Sequence, residues 1–262
     1  MNFIKIFLSI SLLVISTADA ATLRLATTTS TVNSGLLDYL LPSYESKTGN
    51  KVHVIAVGTG KALRMGRDGD VDVVLVHARN AELEFIQQGH GKNRRDVMYN
   101  DFVIVGPKDD PAGIKGMKRA GRALSRVAAI QARFISRGDN SGTHKKELSL
   151  WGNTQHSGRW YLEAGQGMGK VLQITNEMGG YTLVDRGTWL AYQDKINLMV
   201  LVEGDKNLFN PYGVIAVNPD KHKDIKYRES LSFINWLTSA SAQAMIGNYR
   251  IHNQQLFIPD AK

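Results

Sequence analysis

The chain has 262 residues, a formal net charge of +8, a hydrophobic content of 43% and no cysteine. This length fits one large domain or two smaller lobes, and the hydrophobic content is ordinary for a globular protein. Without cysteine, the chain has no disulfide framework and no residue for lipid attachment through sulfur. A basic protein suits a nucleic acid, an acidic surface or a small anion. The lysines and arginines are dispersed apart from residues 92–95, and this argues against a nucleic acid partner.

The first twenty residues have the pattern of a secretory signal peptide. Lys5 supplies a positive charge, residues 6–15 are apolar, and the small residues of Ala18–Ala20 fit a cleavage site before Ala21. The apolar run is too short to remain as a membrane-spanning helix. We therefore predict that residues 1–20 are removed and that the mature protein, residues 21–262, is soluble and periplasmic. An exported protein is also a poor candidate for binding nucleic acid.

A run of hydroxyl residues follows the first predicted strand. Thr22–Ala26 alternates like a strand, Thr27–Thr31 consists of five consecutive hydroxyl residues, and an amphipathic helix begins near Leu36. Hydroxyl groups at a strand end that opens a helix offer uncharged donors to an anion, and Thr28, Thr29 and Ser30 are the candidates. The alternative is a threonine-rich strand end that reflects β-propensity alone.

The next strand ends in a glycine-rich turn. Lys51–Val57 runs into Gly58-Thr59-Gly60 and then into a short predicted helix. The turn lacks the spacing of a Walker loop, but its glycines allow a ligand to approach the backbone, and Thr59 adds a hydroxyl donor. A buried strand, Val71–Val76, follows and ends at His77. We interpret His77 as a strand-end histidine hydrogen-bonded to backbone, since it has no companion metal ligands.

A third strand–turn–helix unit lies at Phe134–Glu147. Its turn carries Arg137, whose planar charged fork matches two oxygens of one anion, and Ser141 and Thr143, which supply hydroxyl donors. The helix start adds free backbone N–H groups and the positive end of the helix dipole. The alternative is an ordinary connection in which Ser141 or Thr143 only caps the helix.

Strands and helices alternate along the chain, which predicts an α/β fold with mostly parallel sheets flanked by helices. Two candidate crossing strands, near Asn100 and Tyr212, divide the chain into lobe I, residues 21–99 and 210–262, and lobe II, residues 100–209. Ligands in such sheets bind at the carboxyl ends of strands. This rule places the three hydroxyl-bearing turns at one cleft between the lobes.

The chain resembles the TupA family of tungstate-binding proteins, which are solute receptors for ABC-type tungstate importers. The resemblance covers nearly the whole mature chain. It rests on these motifs: TTTST (27–31), VGTGKAL (57–63), GDVDVVLVHAR (69–79), MYNDFVIVGP (98–107), FISRGDNSGTHKKE (134–147) and YTLVDRGTW (181–189). It implies a two-lobed type II periplasmic binding protein fold, no enzymatic activity, and delivery of the ligand to an inner-membrane permease. We expect a monomer without cofactor or metal.

The resemblance also implies which residues bind the oxyanion. They are Thr28, Thr29, Ser30, Thr59, Arg137, Ser141 and Thr143. Arg186 either contacts the anion or braces its lobe. Tungstate at neutral pH is a dianion without a proton, so every contacting group should be a donor. Asp139 and Asp185 are therefore expected to orient an arginine or a turn rather than to contact the ligand.

Other readings remain open at this stage. A phosphate or sulfate receptor is an alternative, because Asp139 could accept the proton of hydrogen phosphate. An exported serine hydrolase would use Ser141, His144 and Asp139, although these lie within six positions and lack a G-x-S-x-G elbow. A metal receptor is disfavoured because the histidines have no ligand spacing. Tungstate and molybdate, which are alike in size and charge, are not separable from sequence.

Overall fold

The computed structural model describes residues 21–261. The predicted signal peptide lies outside these residues. Among the described helices, none has the length and apolarity needed to cross a membrane.

This part of the chain contains twelve strands, ten α-helices and two short 3-10 helices, Gln193–Lys195 and Lys206–Leu208. The strands are β1 (Thr22–Thr28), β2 (Lys51–Val57), β3 (Val73–Val76), β4 (Gly91–Pro107), β5 (Phe134–Ser136), β6 (Tyr161–Glu163), β7 (Thr182–Asp185), β8 (Leu198–Val202), β9 (Phe209–Val217), β10 (Arg250–Ile251), β11 (Gln254–Gln255) and β12 (Ile258–Pro259). The helices are α1 (Thr29–Asn33), α2 (Leu36–Thr48), α3 (Thr59–Asp68), α4 (Arg79–Gln87), α5 (Ala120–Ala129), α6 (Gly142–Trp151), α7 (Met168–Met178), α8 (Arg186–Tyr192), α9 (Tyr227–Leu237) and α10 (Ala240–Asn248).

The main sheet has the order β12-β4-β9-β3-β1-β2, and β7 and β8 also pair with β4. Strand β1 runs parallel to β2 and β3, and β5 runs parallel to β6. The α/β class is confirmed, but the expectation of mostly parallel sheets is wrong. Strand β9 is antiparallel to β3 and β4, and β4 is antiparallel to β7, β8 and β12. The two long strands return the chain across the molecule, so their neighbours on both sides run the opposite way.

The long strands β4 and β9 are the two predicted crossing strands. The sequence pattern predicts the first of them over residues 97–107, whereas β4 already begins at Gly91. Its residues 91–101 pair with β9, with Asn100 opposite Asn210. Its later residues, 102–107, pair with β7 and β8. One strand therefore takes part in two groups of strands. The exact division into lobe I and lobe II stays a prediction.

Apolar side chains pack on both faces of these strands. All four residues of β3 are buried, as a short run of β-branched and leucine residues in a central strand requires. The buried apolar side chains form three separate clusters. One includes Ala26 and Val74, a second includes Phe102 and Leu208, and the third includes Leu25 on β1 and Val184 on β7. Burying each such aliphatic side chain contributes about 1.5–3 kcal/mol.

One predicted helix is shorter in the structure. The sequence pattern predicts a helix over residues 114–131, whereas α5 begins at Ala120 and ends at Ala129. Gly113 and Gly116 have φ angles of 59° and 78°, which a right-handed helix excludes. The residues before Ala120 therefore form turns.

Candidate functional site

A cleft of about 750 Å³ lies at the carboxyl ends of β1 and β2, and all the residues predicted to bind the ligand line it. These are Thr28, Thr29, Ser30, Thr59, Arg137, Ser141 and Thr143. They come from three separate segments of the chain. The parallel pairing of β1 with β2 and β3 brings two of these segments to the same edge of the sheet. The structure thus brings the predicted residues together in one place.

The hydroxyl run around β1 does not act as one uniform set of donors. Thr27 is buried and donates to the backbone oxygen of Leu75 at 2.7 Å. Thr28 caps α1 by accepting from the backbone N–H of Thr31 at 3.3 Å, and its Oγ1 lies 2.6 Å from Oγ1 of Thr31. Thr29 and Ser30 are exposed to the cleft. Thr27 and Thr31 therefore hold the turn in place, and the middle three residues face the cleft.

Helix α3 starts at the cleft with its backbone N–H groups uncapped. Its N-cap is Gly58, which has no side chain to accept from the first turn. Gly58, Thr59, Gly60 and Lys61 all line the cleft. The first N–H groups of a helix lack intrahelical acceptors, so this turn can donate to a ligand.

The turn before α6 holds Arg137 through a carboxylate. The Nε of Arg137 donates to Oδ2 of Asp139 at 2.8 Å, and the backbone N–H of Ser141 donates to Oδ1 at 3.0 Å. Among residues 21–261, the guanidinium of Arg137 donates only this hydrogen bond to Asp139, from Nε. Its Nη1 and Nη2 therefore remain available to donate to a ligand. Burial alone would raise the pKa of Asp139, but the hydrogen bonds from Ser141 and the charge of Arg137 lower it below its usual value. Asp139 is therefore an ionised orienting group, as expected.

Ser141 caps α6, as the alternative reading proposed, and it also lines the cleft. Its Oγ accepts from the backbone N–H of His144 at 3.3 Å. Gly138 and Asn140 have φ angles of 61° and 57°, so the turn adopts left-handed conformations that glycine and asparagine tolerate. Capping uses an acceptor lone pair of the serine, so its O–H can still donate, either to Asp139 or to a ligand.

A buried carboxylate supports this turn from behind. Glu147 is 1% exposed and accepts hydrogen bonds from Ser136 Oγ at 2.8 Å, Trp151 Nε1 at 3.0 Å and Tyr161 OH at 2.8 Å. These donors belong to β5, α6 and β6. Glu147 thus fixes the strand before the turn to the helix after it. Sequence analysis missed this role.

The electrostatics of the cleft favour an anion. Within the described part of the chain, its charged lining residues are four cations and one carboxylate, namely Lys61, Arg137, Lys145, Lys170 and Asp185. The starts of α3, α6 and α7 also line the cleft and add partial positive charge. Asp185 is occupied as the N-cap of α8, where it accepts from the backbone N–H and hydroxyl of Thr188. It therefore orients the turn, as predicted.

Arg186 lies outside the set of residues that line the cleft. It donates to both carboxylate oxygens of Asp101, at 2.8 and 2.6 Å, and to Glu203 at 2.8 Å. The hydrogen bond with Asp101 and the nearby charges raise its pKa further. Of the two roles considered, the structure supports the bracing role, because Arg186 connects α8 to Asp101 on β4.

Several residues of the cleft were missed by sequence analysis. The cleft is also lined by Gly167–Lys170 at the start of α7, a glycine-rich segment before which the sequence shows no clear strand. His77 also lines it, and its Nδ1 lies 3.0 Å from Oδ1 of Asn210, a side chain and not the expected backbone partner. The signal for His77 was present, because it follows β3 directly at the edge where ligands bind.

The side chains of the hydrolase alternative do not form a triad. The Nδ1 of His144 accepts from the backbone N–H of Asn140 at 3.0 Å, and its Nε2 is 3.7 Å from Glu163. Its contact with Ser141 runs through the backbone N–H, so the imidazole is not placed to take the serine proton. Among the described residues, no cluster of three or more histidine or acidic side chains is arranged to hold a metal ion.

Comparison with known proteins identifies the class first. The profile of the PBP superfamily domain matches residues 16–241. The predicted periplasmic binding protein fold is therefore confirmed.

Comparison with individual relatives identifies the family within this superfamily. The tungstate-binding protein TupA of Peptoclostridium acidaminophilum is 50% identical, over 90% of this chain and 85% of that protein. TupA of Campylobacter jejuni is 44% identical, over 89% of each. The solved structure of TupA from Desulfovibrio alaskensis G20 superposes with a TM-score of 0.88 at 48% identity, covering 93% of this chain and 100% of that one. The chain belongs to the TupA family.

Proposed function

We propose that this protein is an extracytoplasmic receptor that binds tungstate or molybdate in the cleft and delivers it to the permease of an ABC importer. The observation that carries the proposal is the lining of the cleft. Hydroxyl groups, uncapped helix starts and a guanidinium converge there, with four cations against one carboxylate that is already occupied as a cap. The names of the relatives, tungstate-binding proteins, support the same ligand.

The chemistry of the lining suits a tetrahedral dianion without a proton. Thr28, Thr29, Ser30, Thr59, Ser141 and Thr143 contribute hydroxyl donors from both sides of the cleft. The free terminal nitrogens of Arg137 can donate to two oxygens of one ligand, the strongest geometry available to a protein for such a group. Asp139 is occupied by Arg137 and Ser141 and does not line the cleft, so the feature that favoured hydrogen phosphate is not available.

The proposal includes location and movement. The protein is exported by cleavage before Ala21, acts in the periplasm as a monomer, and closes lobe II on lobe I around the ligand. The paired strands β4 and β9 serve as the hinge. Closure excludes water, which strengthens each hydrogen bond to the anion.

The direct test is calorimetric titration with tungstate, molybdate, sulfate and phosphate. We expect tight one-to-one binding of tungstate and molybdate and weaker binding of the other two. Arg137→Glu should weaken tungstate binding by at least about a thousandfold, because it removes charge-assisted hydrogen bonds and adds a like charge.

The matched control is Arg228→Glu. The Arg228 side chain is 88% exposed and pairs with the adjacent Glu229, so the same charge change there should leave affinity unaltered. Normal affinity in Arg137→Glu would show that the site is elsewhere. Absence of heat with all four anions would remove the proposed function.

A further inference from the structure

His77 stands at the junction of three elements that surround the cleft. It follows β3, its ring centroid is 4.8 Å from that of Tyr212 on β9, and its Cε1 would lie 3.5 Å from a methyl group placed on Gly142. Gly142 is the first residue of α6, whose start carries Ser141 and Thr143. The next ring atom near that position is Nδ1, at 4.0 Å, so the Cε1–Nδ1 edge faces this helix start and Nε2 is the other neighbour of Cε1 in the ring. His77 itself lines the cleft.

The hydrogen bonds of His77 define which ring nitrogen carries the proton. The Nδ2 of Asn210 donates to Oδ1 of Asn100 at 2.8 Å, so Oδ1 of Asn210 is free to accept. It accepts from Nδ1 of His77 at 3.0 Å. In the neutral ring Nε2 is then a bare lone pair. Nε2 is buried, and among residues 21–261 it has no hydrogen-bond partner.

The charges around His77 keep it neutral while the cleft is empty. Burial lowers its pKa, and the ammonium group of Lys146 on α6 acts in the same direction. The hydrogen bond that His77 donates to Asn210 and the carboxylate of Asp185 at the start of α8 oppose this effect but do not outweigh it. The cations that line the cleft, Lys61, Arg137, Lys145 and Lys170, add to the positive surroundings.

A lone pair facing an oxyanion is repulsive, whereas an N–H group in the same place is attractive. A dianion a few ångströms from an imidazole favours its charged form. We propose, building on the proposed function, that His77 takes up a proton when the oxyanion enters the cleft and then donates a hydrogen bond to it from Nε2. The proton moves from the solvent or buffer acid to Nε2, and Nδ1 keeps its proton and its bond to Asn210. His77 is thus a further ligand-binding residue, one that is completed by the ligand's charge.

The test is calorimetric titration of the whole mature protein with sodium tungstate at about pH 7.5 in buffers with different enthalpies of ionisation. The apparent binding enthalpy should vary linearly with the buffer's ionisation enthalpy, with a slope that corresponds to uptake of about one proton per tungstate. By the same linkage, affinity should fall by about tenfold per unit rise in pH between the pKa of His77 in the empty and loaded states.

His77→Asn is the informative variant. Its amide can still donate to Oδ1 of Asn210, but it has no group in the place of Nε2. Binding should be weaker by at least about tenfold, with no dependence on buffer ionisation. The control is His53→Asn, an exposed histidine on β2, which should keep the proton uptake of the parent protein.

Nuclear magnetic resonance of the His77 ring in the unmodified protein provides a measurement that needs no variant. Its pKa should rise above the titration pH when tungstate is added. Tight binding with no buffer dependence, or buffer dependence that survives in His77→Asn, would overturn the inference while leaving the proposed function intact. Failure of tungstate to bind at all would remove the proposed function and this inference with it.

Discussion

The carboxylate of Asp72 holds three separate parts of the chain together. Its side chain has no exposed surface, and it accepts from the backbone N–H, Nε and Nη2 of Arg24 at 2.8, 3.1 and 2.8 Å. It also accepts from the backbone N–H of Lys226 at 3.2 Å. Burial alone would raise the pKa of Asp72, but these hydrogen bonds and the charge of Arg24 lower it. The ion pair thus fixes β1 to the segment that precedes α9.

We expect Asp72→Asn to destabilise the fold by about 3–5 kcal/mol, because it leaves the hydrogen-bonding groups of Arg24 without their charged partner. The lowered pKa also sets the pH dependence. The contribution of Asp72 is complete above the unfolded carboxyl pKa of about 3.9 and is lost as the pH falls through the lower, folded value.

Urea unfolding over a series of pH values measures both effects. Asp68→Asn serves as the control, since Asp68 is exposed and pairs with its neighbour Arg67. The urea midpoint of this variant should not change measurably. An Asp72→Asn protein as stable as the parent would show that the ion pair contributes nothing net.

At the scale of elements, the cleft is lined largely by helix starts. Sequence analysis located three of them, at residues 28–31, 58–60 and 137–143, because a strand, a small polar turn and a helix follow one another locally. It missed the start of α7 at Gly167, because the preceding strand β6 has only three residues and gave no clear pattern. It also could not assign the direction of β9, because strand pairing joins residues far apart in the sequence.

Gly60 in the first turn of α3 offers a test in which stability and affinity move in opposite directions. A Cβ atom placed on Gly60 meets nothing within 4 Å, and the residue lines the cleft. Gly60→Asp should stabilise the fold by about 0.5–1 kcal/mol, since it replaces glycine and places a negative charge at a helix start. The same charge should weaken tungstate binding by at least about tenfold.

The control is Gly60→Ala, which should give a similar gain in stability and retain binding. Thermal unfolding and calorimetry measure the two quantities on the same samples. Binding of tungstate by Gly60→Asp with unchanged affinity would mean that the start of α3 does not face the ligand.

The whole molecule is organised around the pair of crossing strands. Asn100 on β4 and Asn210 on β9 are opposite each other, each 5% exposed, and joined by a side-chain hydrogen bond of 2.8 Å. The ammonium of Lys146 on α6 donates to the backbone oxygens of Asn207 and Phe209, both at 3.1 Å. The helix whose start carries Ser141 is therefore attached directly to the beginning of the second crossing strand.

We also expect the shape of the protein in solution to change when the ligand binds. Tungstate should lower the radius of gyration from a value of about 18 Å, because the ligand connects donors from both sides of the cleft and draws the lobes together. Small-angle X-ray scattering with and without the anion measures this change. Arg137→Glu should scatter identically in both conditions, and an unchanged radius for the parent protein would contradict closure.

The position of β9 in the sheet has a consequence for biogenesis. It lies between β3 and β4, although both of those strands are complete by residue 107 and β9 begins at residue 209. The nascent polypeptide therefore cannot finish its central sheet until more than a hundred further residues have been made. Such long-range pairing slows folding and keeps early intermediates open. Under the proposed export, in which the chain passes through a secretion pore before it folds, this delay would be an advantage.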